Sequence, residues 1–198
     1  MDRLADANAL VIRQQRELME AFTGLETRNR YVVEDDKGNT LYQAAEEKGS
    51  VLIRFFLKAS RPFSLLIKDS DGNDIMKVQR PYRFFMPECT IYDKNNVEIG
   101  RVKWNFSLLR KKYTLFDKNG MEVFRLFGPA LKPWTFEIRK DGTKVGVITK
   151  KWSGFLKEAF TDTDNFGVIF DAPLTKDNKA LLLGAVFLID FVHFENKS

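Results

Sequence analysis

The sequence predicts a mainly β domain, a barrel or sandwich of antiparallel hairpins with one apolar helix at its C-terminal end. Three observations predict it. An apolar run, a polar turn and a second apolar run recur as YVVEDDKGNTLY, LLIKDSDGNDIMKV, TIYDKNNVEIGRV, TLFDKNGMEVFRL and FEIRKDGTKVGVI. Their turn positions Gly38, Gly72, Asn96, Gly120 and Gly142 are separated by 34, 24, 24 and 22 residues, the near-regular spacing of a meander. Near the C-terminus, the stretch from Ala180 to Ile189 is apolar without interruption until it meets Asp190.

The first element falls on Leu4 to Phe22, where Leu4, Ala7, Val11, Leu18 and Phe22 lie near one helical face and Gly24 is placed to end it. An amphipathic N-terminal helix or arm over residues 1–28, packed on the body, is the expectation. The five hairpins follow, each with a residue type at the turn that accepts φ > 0 and with flanks alternating apolar and polar, as strands facing one core should. Closure of such a sheet removes exposed edges. The last element, a helix over about 178–195, is apolar on every side. It is roughly half the length of a spanning helix before a carboxylate intervenes, so burial inside the sheet is favoured over insertion in a bilayer.

Composition bounds the chemistry. The chain is 44% apolar and 30% charged, with 18 Phe, and its 198 residues suit one folded domain. The lone Cys89 excludes an intrachain disulfide or multi-Cys metal site, and the lone His193 excludes His-pair zinc chemistry. A reducing compartment and the cytoplasmic side are expected, because the N-terminal residues read neither as a secretory signal nor as a transit peptide. His193 is expected to be packed in the helix, and Cys89, just after Pro87, to be a surface or loop thiol. The acidic cluster Asp69, Asp71 and Asp74 reads as a hairpin turn.

The net charge of +5 is unevenly placed. Residues 101–160 hold 14 basic and 5 acidic side chains, a net +9, while residues 161–198 carry −3. The basic stretch also holds Trp104, Phe106, Tyr113, Phe116, Trp134, Trp152 and Phe155. Basic residues beside aromatics suit an anionic surface, lipid or nucleic acid, although a half-buried sheet produces the same interleaving by pointing charges out and aromatics in.

The segments ETRNRYVVEDDKGNTLYQAAEE, RPFSLLIKD, LKEAFTDTDNFGVIF and GAVFLIDFVHFE, in that order, resemble the phospholipid scramblase family. The resemblance runs from about Val11 to Glu195. It implies a tubby-like fold, a closed antiparallel barrel of about 12 strands over residues 29–198 around a hydrophobic C-terminal helix. It implies calcium-activated, ATP-independent, bidirectional movement of phospholipids between leaflets at the cytoplasmic face of the plasma membrane, without covalent catalysis. The alternative is a non-scrambling module that holds anionic phospholipids, or nucleic acid, on its basic face.

The family's calcium segment corresponds to Asp162-Thr163-Asp164-Asn165-Phe166-Gly167, in which oxygen ligands on alternate residues precede a glycine. Phe166 stands at the fifth position of an EF-hand-like loop and Pro173 at the twelfth, so Asp171 is the expected closing ligand and weak Ca2+ binding by Asp162, Asp164, Asn165 and Asp171 is expected. An Asx-stabilised turn leading into a strand at Val168 to Phe170 is the competing reading. Calcium-dependent self-association is a further expectation. The family's run of adjacent cysteines would fall near Val123 to Trp134, where this chain reads VFRLFGPALKPW, so acylation there is not expected and the protein should divide between membrane and cytosol. SH3 or WW docking is not expected, the Pro-rich tail of longer members being missing. Lys144, Lys150 and Lys151 fall at the family's nuclear-import segment, a weak indication of nuclear entry. The candidate headgroup contacts are Arg110, Lys111, Lys112, Lys144, Lys150 and Lys151.

Overall fold

A computed structural model of the chain describes residues 1–15, 30–47, 62–82, 85–132, 134–150 and 165–194. Among them, twelve strands form a closed barrel: β1 (Ala9–Gln15), β2 (Arg30–Asp35), β3 (Thr40–Glu46), β4 (Phe63–Lys68), β5 (Asp74–Arg80), β6 (Glu88–Asp93), β7 (Glu98–Asn105), β8 (Lys111–Asp117), β9 (Glu122–Gly128), β10 (Thr135–Lys140), β11 (Thr143–Thr149) and β12 (Phe166–Phe170). Each strand pairs antiparallel with its sequence neighbours, and β1 closes the ring on β12 with Ala9 opposite Ile169. The helices are α1 (Asp2–Asp6) and α2 (Lys176–His193).

All five expected hairpins form, and four are built by one device. Asp35, Asp69, Asp93 and Asp117 each turn Oδ1 back onto two backbone amides, two and four residues on, at 2.8–3.0 Å. The carboxylate does the work of a backbone acceptor and holds the turn while Gly38, Gly72, Asn96 and Gly120 adopt φ of 59–83°. In each of the four, the register shifts just ahead of the turn, at Val33/Glu34, Ile67/Lys68, Ile91/Tyr92 and Leu115/Phe116. Such shifts add local twist, which closure of a sheet requires. The acidic cluster is accordingly a turn: Asp69 caps it, the amide of Asn73 lowers the Asp69 pKa, and Asp74 meets Lys68 at 2.5 Å. The fifth turn is shorter, with Asp141 and Gly142 both at positive φ.

The five turns lie on one rim of the barrel, called the turn rim below. The connections β5–β6, β7–β8 and β9–β10 lie on the other, the loop rim. Helix α2 starts at the turn rim, where the Thr175 hydroxyl accepts from the Asn178 amide at 3.2 Å, and runs up the bore. Its 18 residues make about 27 Å at 1.5 Å per residue. It is enclosed on all sides: Phe187 meets Tyr31 of β2, Phe191 stacks on Phe63 of β4, Gly184 faces Ile91 of β6, Leu181 faces Gly100 of β7, and Phe194 just beyond meets Phe166 of β12. Every side chain from Ala180 to Phe191 is buried. No helix among the described residues is long and apolar enough to cross a membrane.

Two expectations are corrected. The N-terminal helix covers Asp2–Asp6, and Ala9–Gln15, expected to continue it, is a strand of the barrel wall; Leu18 and Phe22 lie outside the described residues. Leu4 and Ala7 are buried under the turn rim, where Lys179 donates to the carbonyls of Ala5 and Ala7 at 2.5 and 2.8 Å. Burial lowers the Lys179 pKa, and those two carbonyls give the enclosed ammonium its hydrogen bonds. Cys89, expected on the surface, is fully buried on β6 with Sγ 3.8 Å from the Gly184 carbonyl, and burial pushes its thiol pKa far up. Pro87 precedes the strand, where a missing N–H does no harm, so β6 begins directly after it.

Candidate functional site

Period-2 geometry separates the basic residues that follow one another in the chain. On β8, Tyr113 and Leu115 point into the bore, and Lys111 shares their side; its ammonium lies 5.0 Å over the Phe194 ring. Lys112 takes the outer face and is exposed. Arg110, in the loop before it, lays its guanidinium 4.9 Å over Phe127 on the outer wall.

Strand register then adds two cations that sequence spacing does not bring together. Thr114, Arg125 and Arg139 form one row across β8, β9 and β10, and Lys112, Phe127 and Glu137 form the next. Arg139 also sits over the Phe127 ring, 5.5 Å from its centroid. The result is a groove of about 760 Å3 lined by Phe106, Lys112, Arg125, Phe127 and Arg139, with Glu122 and Asp141 at its acidic end. Arg125 bonds Glu122, which raises its pKa, and Arg139 bonds Glu137 at 2.7 Å. Four cations around an aromatic floor suit a phosphate-bearing headgroup, since guanidinium forks match phosphate oxygens and cation–π contact pre-orients them. Arg125, Arg139 and Phe127 were not expected from sequence; the signal is the register between two hairpins.

The bore opens at the loop rim onto a second cationic cluster. Lys150 turns inward with its side chain 7% exposed, its Nζ 3.5 Å from Asp190 Oδ1 and over the rings of Phe166 and Phe194 at 4.5 and 4.4 Å. The Tyr31 hydroxyl donates to Asp190 Oδ2 at 2.7 Å. His193 Nε2 meets the Tyr113 hydroxyl at 2.8 Å, in keeping with a packed histidine, and burial pushes the Tyr113 pKa well above its usual value. The last turn of α2 exposes carbonyls, so lysines at this mouth also oppose the negative helix end.

The six expected headgroup residues therefore do not form one patch. Arg110 and Lys112 border the groove, while Lys111 and Lys150 serve the barrel mouth. Lys144 lies at the turn rim, its Nζ 3.5 Å from Asp171, and Lys151 falls outside the described residues. Lys144 and Lys150 are six residues apart along β11, about 20 Å at ~3.3 Å per residue.

Of the four residues expected to hold calcium, two are described. Asp162 and Asp164 lie outside the described residues. Asn165 and Asp171 flank the two ends of β12, a strand paired regularly on both sides, so about 20 Å separates them. Ligands at 2.3–2.6 Å from one ion stand no more than about 5 Å apart. Asn165 is 3% exposed at the loop rim and Asp171 is ion-paired at the turn rim. Asn165 and Asp171 therefore do not meet at one cation.

A helix-filled β-barrel carrying an aromatic-floored groove lined by basic side chains is the class this geometry defines. The sequence model of the Scramblase family matches residues 1–196. The chain is 36% identical to Phospholipid scramblase 1 of Mus musculus over 98% of its own length and 63% of that protein's. It is 35% identical to Phospholipid scramblase 1 of Homo sapiens, covering 99% of this chain and 66% of the other, and 34% identical to Phospholipid scramblase 2 of Bos taurus, covering 98% and 71%. The chain belongs to the phospholipid scramblase family, and it spans just under two thirds of the length of the mouse relative.

If the groove holds headgroups, Arg110→Glu with Lys112→Glu weakens co-sedimentation with phosphatidylserine-containing vesicles. At about 1 kcal/mol per basic residue, two lost contacts amount to ~2 kcal/mol, roughly thirtyfold, and raised salt has the same direction. Lys144→Glu, at the other rim, leaves sedimentation unchanged. Equal losses from both variants would remove the groove from the binding surface.

Proposed function

We propose that this chain moves phospholipids between bilayer leaflets without ATP, in response to calcium, and takes hold of anionic headgroups through the β8–β10 groove. The cytoplasmic face of the plasma membrane is its place of action. Family membership supports the reaction, and the observation that carries the contact with lipid is the groove itself, with four cations around Phe127. No bond is made or broken in such a step, so the protein's work is to lower the barrier for headgroup passage.

One observation favours a second reading, a lipid-holding barrel that scrambles nothing. Taking α2 out of the bore exposes Leu181, Leu182, Leu183, Val186, Phe187, Leu188, Ile189 and Phe191. At ~1.5–3 kcal/mol each this costs roughly 12–24 kcal/mol, as much as or more than the whole stability of an ordinary domain. The helix can leave only where hydrocarbon receives it, or transport must use several barrels together.

Leaflet exchange of a fluorescent phospholipid in reconstituted liposomes, across a calcium titration, separates the two. Exchange is expected to rise with calcium. Asp164→Ala should abolish the rise, whereas Asp171→Ala, at the opposite end of β12, should leave the calcium midpoint in place. Folded, vesicle-bound protein with no exchange at any calcium concentration establishes the second reading.

A further inference from the structure

Among the described residues, most of the large apolar side chains left in water are gathered at one end of the barrel. Phe85 is 78% exposed, Phe106 66%, Leu108 89%, Leu109 82% and Leu131 96%, and they come from the three described connections of the loop rim. The β5–β6 and β7–β8 connections are neighbours in space: the Trp104 amide donates to the Pro87 carbonyl at 2.8 Å, and the Trp104 ring meets Phe106 edge-on at 6.3 Å. Tyr82 and Met86, 50% and 43% exposed, extend the same edge. Exposed apolar groups of this number at one end of a protein mark a surface that something covers.

Charge identifies the cover. Residues 81–87, 106–110 and 129–134 contain no Asp or Glu, while Arg110, Lys112 and Lys132 are exposed among or beside the apolar tips. Each of the five turns on the opposite rim carries an Asp, at 35, 69, 93, 117 and 141, and the exposed Val97 and Met121 there stand singly among polar residues. An edge with apolar tips, a cationic collar and Trp104 and Trp134 half-buried at its base matches the layering of an anionic bilayer surface, from acyl boundary to headgroup.

We propose that the loop rim inserts Phe85, Phe106, Leu108, Leu109 and Leu131 into the acyl boundary of an anionic leaflet, standing the barrel with the C-terminal end of α2 toward the bilayer. The inference rests on the lipid reading above and adds depth and orientation to it. The β8–β10 groove, which shares Phe106 with this rim, then opens at headgroup level.

The test uses the full chain with single cysteines placed by Leu108→Cys, Leu131→Cys and Met121→Cys, each carrying an environment-sensitive dye; the buried Cys89 thiol takes no label. Sedimentation of the wild-type chain with phosphatidylcholine vesicles, with and without phosphatidylserine, runs alongside. Blue-shifted emission at 108 and 131 but not at 121, on phosphatidylserine vesicles only, is the expected result. Leu108→Asp with Leu109→Asp should weaken sedimentation at least tenfold while leaving the thermal melt unchanged. Wild-type chain that sediments while the dyes at 108 and 131 report water overturns the insertion and spares lipid binding. No sedimentation on any vesicle overturns the lipid reading itself. A blue shift without vesicles that grows with protein concentration assigns the rim to a second copy of this chain and overturns the proposal.

Discussion

Gly100→Ala is expected to cost at least about 3 kcal/mol, lowering the melting temperature by roughly 6–12 °C for a domain of this size. A Cβ at Gly100 runs into the Phe116 carbonyl oxygen and comes within 2.9 Å of Leu181 Cδ2. The oxygen is backbone and belongs to the β7–β8 ladder, so relief requires opening the pairing of Gly100 with Asp117, beside the register shift at Leu115/Phe116. Gly184→Ala is the instructive comparison. Its Cβ would meet Ile91 Cγ1 at 2.6 Å and Cδ1 at 2.9 Å, a buried side chain stiff at χ1 but with no backbone atom in the way, so about 1–3 kcal/mol is expected. Melts followed by circular dichroism decide it. A Gly100 variant that melts with the wild type would mean that the two strands separate there at no cost.

Asp190→Ala should be of similar size, about 3–5 kcal/mol, for a different reason. The carboxylate is the polar centre of an apolar helix, accepting from Tyr31 and facing the Lys150 ammonium between two phenylalanine rings. Removing it leaves that cation in the barrel mouth without its carboxylate. Asp190→Leu combined with Lys150→Met removes both charges and should recover most of the loss, because a buried pair replaced together by apolar groups of similar volume is often close to neutral. If the double variant is no better than the single one, the pair is not what Asp190 serves. The single variant also bears on transport: if α2 has to leave the bore, weakening its hold at Asp190 should increase leaflet exchange per folded molecule.

The hairpins were legible because their turns are written in residue types, an Asp followed three residues on by Gly or Asn, and those types have one physical use. The helix was legible for the opposite reason: Ala180 to Ile189 is apolar all round and too short to span. Strand β1 was not, since Ala9 to Ile12 are all buried and show no alternation, leaving the wider spacing of Leu4, Ala7 and Val11 to imitate a helix. Asn165 and Asp171 were set together because residues were counted along a loop, while the five between them, Phe166–Phe170, are a strand. The groove was half legible. Arg110 and Lys112 stood out as a run, but Arg125 and Arg139 join them only through register between separate hairpins.

The pairing of β1 with β12 sets the order in which the molecule can be made. Strands β2 to β11 each find a partner next to them in the chain and can pair as they are synthesised. Strand β1 has only β2 beside it until Phe166–Phe170 is available, and the bore stays unfilled until Lys176–His193 follows. During translation the wall therefore precedes its contents, with an open edge and an apolar lining exposed for most of the chain's length, a condition that invites association with other chains. Segment Phe166–His193 is thus the step that commits the whole, and a chain released before it has neither a closed sheet nor a core.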